Sequence, residues 1–276
     1  MSTLPFDGVV FDLDDTLLRD DLTISDRTVA TLRDLSARGV RIVPASGRAM
    51  MSMKPFVDQL ACTPLFLACN GAEIWDSTTF RVLHQELFSR DLGREIAAFG
   101  KRHGCYSQTY TVDRFFYNEE CKWSVQYAAS SMLQGELVGD LEEYIQEPRC
   151  KILMMDEPEK ISAMLAEARE LFQGRVSVTC SKPWFLEFNP VNATKGIALQ
   201  RAAEYLKMDV KRFLAFGDSL NDLSMLQAAG RGVLMANGRT DLRDLCDDVC
   251  GTNQEDGVAI YLERVFETDE VPEKRQ

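Results

Sequence analysis

The chain has 276 residues, 45% of them hydrophobic and 27% charged, proportions that suit two domains or one large α/β unit with a real core. A formal net charge of -12 without clustered Lys and Arg argues against nucleic acid or an anionic membrane surface as partner. No basic region followed by an apolar stretch opens the chain, and no apolar run approaches the ~18 residues of a membrane span, so a cytoplasmic location is expected.

In chain order, Val9-Val10-Phe11 runs straight into Asp12-Leu13-Asp14-Asp15, which reads as a buried strand carrying charge into a crevice at its C-terminal end. Residues two apart on a pleated strand share a face, so Asp12 and Asp14 are expected to project toward one point while Leu13 turns away. Thr16 to Thr23 is polar and turn-like. Ser25 is placed as an N-cap, Val29, Leu32 and Leu35 follow at helical spacing, and Gly39 supplies the stop. Val40 to Ala45 is a second short strand ending in Ser46-Gly47-Arg48, and Leu65 to Cys69 a third ending in Asn70-Gly71-Ala72. Strands alternating with helices in this way indicate βαβ units and a parallel sheet.

Around residues 78 to 90 the pattern changes. A helix from Asp91 to Arg102 precedes two β-rich runs, Cys105 to Thr111 and Arg114 to Asn118, close enough for a hairpin. A helix near Ser124 to Leu133, a strand at Cys150 to Met155, a helix at Pro158 to Phe172 and strands at Val176 to Cys180 and Trp184 to Phe188 follow. Hairpins mixed with helices suggest an α+β module over 83–188, inserted into a parallel-sheet core domain made of 1–82 and 189–276. The core resumes with a helix from Lys195, a strand Phe213 to Phe216 entering Gly217-Asp218-Ser219-Leu220-Asn221-Asp222, a helix to Ala229, and short strands at Gly232 to Met235 and Asp248 to Cys250. The charged tail, Glu267 to Gln276, is expected to fray.

Ligands of open α/β sheets bind beyond the carboxyl ends of the strands, which makes Asp12, Asp14, Ser46, Lys195 and Asp218 candidates for one crevice. Three aspartates gathered there repel one another and any anion unless a hard cation with oxygen ligands holds them, and Mg²⁺ suits one or two carboxylates better than zinc does. Asp12 is then an ionised nucleophile toward phosphorus, and Asp14 a group that protonates the leaving alcohol and afterwards deprotonates water, a task that calls for a raised pKa. Ser46 and backbone N–H groups supply donors, and Lys195 charge. Arg48 reads as a surface charge where its strand ends. Tyr110, Phe115, Phe116, Tyr117, Trp123 and Trp184 read as packing residues of the inserted module. Eight cysteines without a Cys-x-x-Cys pair, most within apolar segments, are expected as buried free thiols, and two histidines exclude a histidine-rich metal site.

The segment Phe11-Asp12-Leu13-Asp14-Asp15-Thr16-Leu17-Leu18 resembles motif I of the haloacid dehalogenase-like superfamily. Ala45-Ser46-Gly47-Arg48 is similar to its motif II, Thr194-Lys195-Gly196 to motif III and Gly217-Asp218-Ser219-Leu220-Asn221-Asp222 to motif IV, in that order. Asn70-Gly71-Ala72 and the long insertion resemble the Cof-type phosphatases with a C2B cap. The resemblance implies a Rossmann-like core under an α+β cap, with Asp12 as nucleophile and Asp14 as general acid/base. It further implies Mg²⁺ on the Asp12 side chain, the Asp14 carbonyl and Asp218. Leu13, Ser46, Gly47, Lys195 and Asn221 would hold the phosphoryl group of a small phosphorylated metabolite, a sugar phosphate among the candidates, and Asp222 would orient the lysine or a metal-bound water. Two features depart from the family pattern: Met235-Ala236-Asn237-Gly238 stands where Met-Gly-Asn-Ala is common, and Pro44 should cut short the ladder of its strand. A phosphomutase or other phosphotransferase, and a non-catalytic sensor of a phosphorylated ligand, are the competing readings.

Overall fold

The computed structural model describes residues 4–267; the charged tail from 268 onward, expected to fray, lies outside the described residues. The chain begins with β1 (Gly8–Phe11), α1 (Asp26–Ala37), β2 (Arg41–Pro44), α2 (Met50–Leu60), β3 (Leu65–Ala68), β4 (Glu73–Asp76) and β5 (Val82–Gln85). There follow α3 (Arg90–Arg102), β6 (Tyr106–Tyr110), β7 (Arg114–Tyr117), α4 (Lys122–Ser131), β8 (Gln134–Leu137), α5 (Leu141–Tyr144), β9 (Ile152–Met155), α6 (Pro158–Leu171), β10 (Val176–Thr179) and β11 (Phe185–Pro190). The last elements are α7 (Lys195–Leu206), β12 (Phe213–Gly217), α8 (Leu223–Ala228), β13 (Arg231–Leu234), β14 (Asp248–Val249) and α9 (Gly257–Glu267).

β1 stands inside a parallel sheet of order β14-β13-β12-β1-β2. Its residues alternate between two hydrophobic layers, as the pleat requires. Val9 and Phe11 pack toward α1, α2 and α9, with Leu32, Phe56 and Leu262, while Val10 packs toward α7 and α8, with Leu199 and Met225. Both faces are therefore covered, which is why the strand sequence is apolar throughout. β1 connects to β2 on one side and pairs with the much later β12 on the other, so a switch in strand order falls at the carboxyl end of β1.

A second sheet, of order β10-β11-β9-β6-β7-β8, is antiparallel except for the β7–β8 pair, and forms the cap. One face carries α3 and α6 over Ile152, Met154 and Phe188. The other presents Tyr106, Leu153 and Met155, in one apolar cluster with Ala49, Cys69 and Ala72 of the core.

Several elements escape the sequence reading. α2 contains Pro55, which masks its helical period, and β4, β5 and β8 are four-residue strands with few apolar positions or none on their outer faces. α9 had a legible signal in Val258, Tyr261, Leu262 and Val265 at i, i+3, i+4 and i+7. Pro44 still pairs with Phe11 of β1, but toward β3 the ladder shrinks to a bridge between Ala45 and Leu67. The amides of Ala45 and Ser46 point to β1 and β3 respectively, so the N–H that Pro44 lacks is one that faces β3.

Candidate active site

The strand β1 ends one residue before Asp12, and the Asp12 amide donates to the carbonyl of Phe216 in β12 at 3.0 Å. This fixes Asp12 beside Gly217-Asp218. The expected common face for Asp12 and Asp14 arises differently: residues 13–17 leave the strand and coil into a tight turn, with Asp15 at φ 58. Asp14 reaches the same cavity as Asp12 through that turn rather than through the pleat, and Leu13 is buried in the core beneath.

Thr194 caps α7, its Oγ1 accepting from the Ile197 amide at 3.2 Å, and so sets Lys195 in the first turn. Lys195 is wholly buried, and its Nζ lies 2.6 Å from Oδ1 of Asp12 and 2.6 Å from Oδ1 of Asp222. The other oxygen of Asp222 accepts from the amides of Asp218 and Ser219, each at 3.0 Å. Asp222 thereby ties the loop after β12 to Lys195. Thr16 donates to Oδ1 of Asp218 at 3.0 Å.

Asp12, Asp218 and Asp222 hold oxygens within 4.8 Å of one another in buried positions. Burial drives the Asp12 pKa well above the carboxylate range, and Lys195, which Asp222 shares, does not compensate. Burial and then repulsion from Asp222 and Asp12 push Asp218 up in the same way. Lys195 itself is held charged, its burial outweighed by the two carboxylates. Among the described residues no side chain donates to Oδ2 of Asp12 or of Asp218. An excess of negative charge with two unengaged hard oxygens is the donor set that suits a hard divalent cation.

Arg48 is not the surface charge that the sequence suggests. It is buried and grips Asp14 through two hydrogen bonds, with further bonds to Ser52 Oγ at 2.9 Å and to the Ser130 carbonyl of the cap at 2.8 Å. Burial raises the Asp14 pKa, but the Arg48 guanidinium more than offsets it and holds the carboxyl below its usual range. That is the reverse of the raised value expected for a proton donor. The sequence offered no sign of this, because a strand-end arginine looks the same whether solvated or paired.

Most of the expected residues share one cavity of about 120 Å³. From the core it is walled by Asp12, Asp14, Ser46, Gly47, Asp218 and Asn221, and from the cap by Tyr127, Lys151, Trp184, Phe185 and Glu187. Leu13, Lys195 and Asp222 stand behind this wall, not in it. Trp184 thus faces the cavity rather than serving packing alone, whereas Tyr110, Phe115, Phe116 and Tyr117 are buried.

The profile of the haloacid dehalogenase-like hydrolases matches residues 9–262, nearly the whole chain. The chain belongs to this family. It is similar to a 5-amino-6-(5-phospho-D-ribitylamino)uracil phosphatase of Bacillus subtilis, with 28% identity over 252 residues, 91% of this chain and 92% of the relative. It is also similar to an HMP-PP phosphatase of Serratia proteamaculans, 27% identical over 263 residues, 92% of this chain and 93% of the relative. The solved structure of a haloacid dehalogenase-like hydrolase from Bacteroides thetaiotaomicron superposes with a TM-score of 0.83 at 28% identity, over 95% of this chain and all of that one.

In this haloacid dehalogenase-like hydrolase the divergent loop Met235-Ala236-Asn237-Gly238 buttresses the strand ends. Asn237 Nδ2 donates to the Asp15 carbonyl at 2.7 Å, the Arg239 amide donates to the Asp218 carbonyl at 2.9 Å, and a Cβ on Gly238 would stand 2.8 Å from that same oxygen. A charged network that the sequence left unread joins cap and core. Lys151 pairs with Glu187, both buried, and donates to the Gly47 carbonyl at 2.9 Å. Glu187 accepts from Asn70 Nδ2 at 3.2 Å, and Asn70 Oδ1 accepts from Asn221 Nδ2 at 3.0 Å. Among the described residues no helix is long and apolar enough to cross a membrane.

Proposed function

We propose that the protein is a Mg²⁺-dependent phosphatase acting on a small phosphorylated metabolite through an aspartyl phosphate on Asp12. The observation that carries this reading is Asp12 itself: a carboxylate on the wall of the cavity between core and cap, with Lys195 behind it and Asp218 beside it. The phosphatase relatives support the reaction class.

Asp12 and Asp218, with the Asp14 carbonyl, are the residues that would hold the cation. When bound, the cation supplies positive charge against the carboxylates and the phosphoryl oxygens. Lys195 offsets the charge of Asp12, so that an anionic ester can approach it. A carboxylate oxygen of Asp12 attacks phosphorus and the ester oxygen leaves. Ser46, the backbone around Leu13 and Gly47, and Asn221 orient the phosphoryl oxygens, and Asp222 keeps Lys195 in place. Asp14, ionised in the grip of Arg48, is prepared to take a proton from the water that cleaves the intermediate. Protonation of the leaving oxygen in the first step requires that grip to loosen as the substrate enters. We take 83–188 as the cap that closes over this site and supplies the contacts to the leaving group, with 1–82 and 189–276 as the core.

Phosphate release from a panel of phosphorylated metabolites, with and without Mg²⁺, tests the proposal. Asp12→Asn is expected to keep its fold and its affinity for ligand and to lose turnover by about 10⁴-fold or more. Isomerised esters without free phosphate would point to a phosphomutase. Ligand binding without turnover in the unaltered protein would point to a sensor.

A further inference from the structure

Cys69 and Cys150 lie 81 residues apart in sequence, yet their sulfurs are 3.6 Å apart in the structure. Cys69 follows β3 of the core, Cys150 lies two residues before β9 of the cap sheet, and both are buried. Neither takes part in the cavity wall. A single side chain holds the two segments together: Asn189 Nδ2 donates to the carbonyl of Cys69 at 3.1 Å and to that of Cys150 at 3.3 Å. Asn189 is itself buried, and its Oδ1 accepts from Asn70 at 3.1 Å. The pair is therefore brought together where the core and the cap sheet meet, and its register is fixed by hydrogen bonds independent of the thiols. A bonded pair of sulfurs stands about 2.05 Å apart, so closing the gap calls for ~1.5 Å of approach, within the reach of side-chain rotation.

We propose that Cys69 and Cys150 form a reversible disulfide that fastens the cap to the core and arrests turnover. The cavity has walls from both layers, with Lys151–Gly47 and Arg48–Ser130 hydrogen bonds across them, so widening it for a substrate parts the cap wall from the core wall. Parting the walls separates Cys69 from Cys150. A disulfide keeps the two Cα atoms within about 7 Å of each other and forbids that motion. The oxidant is a peroxide. One thiolate attacks a peroxide oxygen, forming an S–O bond and breaking O–O, and the hydroxide released takes a proton to become water. The second sulfur then attacks the sulfenic sulfur, forming S–S and breaking S–O, and the second oxygen leaves as water. Two thiols are oxidised and one hydrogen peroxide is reduced to two waters.

The bridge stands independently of the phosphatase reading; its effect on turnover rests on that reading, so the two are measured separately. The full chain is treated with hydrogen peroxide, its remaining thiols are alkylated, and it is mapped by mass spectrometry without reduction. p-Nitrophenyl phosphate hydrolysis with Mg²⁺ is followed in parallel. A Cys69–Cys150 linked peptide is expected, together with at least a tenfold loss of turnover that dithiothreitol restores. Cys69→Ser and Cys150→Ser, each assayed alone, are expected to keep the reduced protein's activity and to resist that loss. Absence of the linked peptide under conditions that oxidise other cysteines overturns the proposal, as does a linked protein of undiminished activity or a loss that persists in both variants. One equivalent of zinc on the untreated protein, lost in both serine variants, would show that the thiols bind a metal with Glu73 and would equally overturn it. Should p-nitrophenyl phosphate not be hydrolysed even by the reduced protein, the phosphatase reading fails while the peptide map still decides the bridge.

Discussion

Arg48 holds both carboxylate oxygens of Asp14, Nε on Oδ2 at 2.8 Å and Nη2 on Oδ1 at 2.7 Å. An acid expected to donate a proton is thus kept ionised by its nearest cation. Because the folded pKa is lowered, Asp14 contributes stability above its unfolded value, and that contribution is lost as pH falls through the lowered folded value. Arg48→Met removes the largest of the influences that oppose burial and leaves only the weaker pull of Lys182 and Lys195. The apparent pKa of the acid limb in a kcat/KM pH profile is expected to rise. An unmoved limb would mean that Arg48 does not set the ionisation of Asp14.

Asp12 and Asp218 titrate in the opposite sense. Their raised folded pKa values give stability that is fully present below the unfolded carboxylate value and lost as pH rises through the folded ones. A cation between them relieves this loss. Saturating Mg²⁺ is expected to raise the melting temperature at pH 7.5 by roughly 5–10 °C at a hundredfold excess over Kd, and by less at pH 5. Asp218→Asn should abolish the Mg²⁺ shift and leave the metal-free protein at least as stable, because Asn still accepts from Thr16. Differential scanning calorimetry at both pH values checks the pattern, and a Mg²⁺ shift that survives in Asp218→Asn contradicts it.

Lys151 and Glu187 are a buried ion pair that also touches Gly47 and Asn70. Removing one partner leaves the other charged and desolvated, so Lys151→Met or Glu187→Gln is expected to cost about 3–5 kcal/mol in urea unfolding. The double variant Lys151→Met/Glu187→Gln should cost less than the sum of its parts, since no buried charge is left without its counter-ion. Strict additivity in the cycle would show that the two groups do not act as a pair.

Gly71 has φ +92, and a Cβ there would stand 2.7 Å from both the Thr194 carbonyl oxygen and the Ala198 Cβ. These belong to the N-cap residue and the first turn of α7, where Lys195 is held. Gly71→Ala is expected to cost about 2–4 kcal/mol and to lower kcat as the helix start is pushed away from Asp12. Full stability with unchanged kcat would show that the loop yields without moving α7.

Composition, hydrophobic period and the order of the four motifs determined the fold class and delivered Asp12, Asp14, Ser46, Gly47, Asp218 and Asn221 as members of one site. Those features are local: an apolar strand ending in acids, a capped helix, a glycine turn. What only the tertiary structure decided is partnership. Arg48 on Asp14, Lys195 behind the cavity wall, Lys151 with Glu187 and Cys69 against Cys150 are contacts between segments far apart in sequence. Burial changes the meaning of a charge or a thiol through its neighbours and through the loss of water, and neither is written in the residue itself.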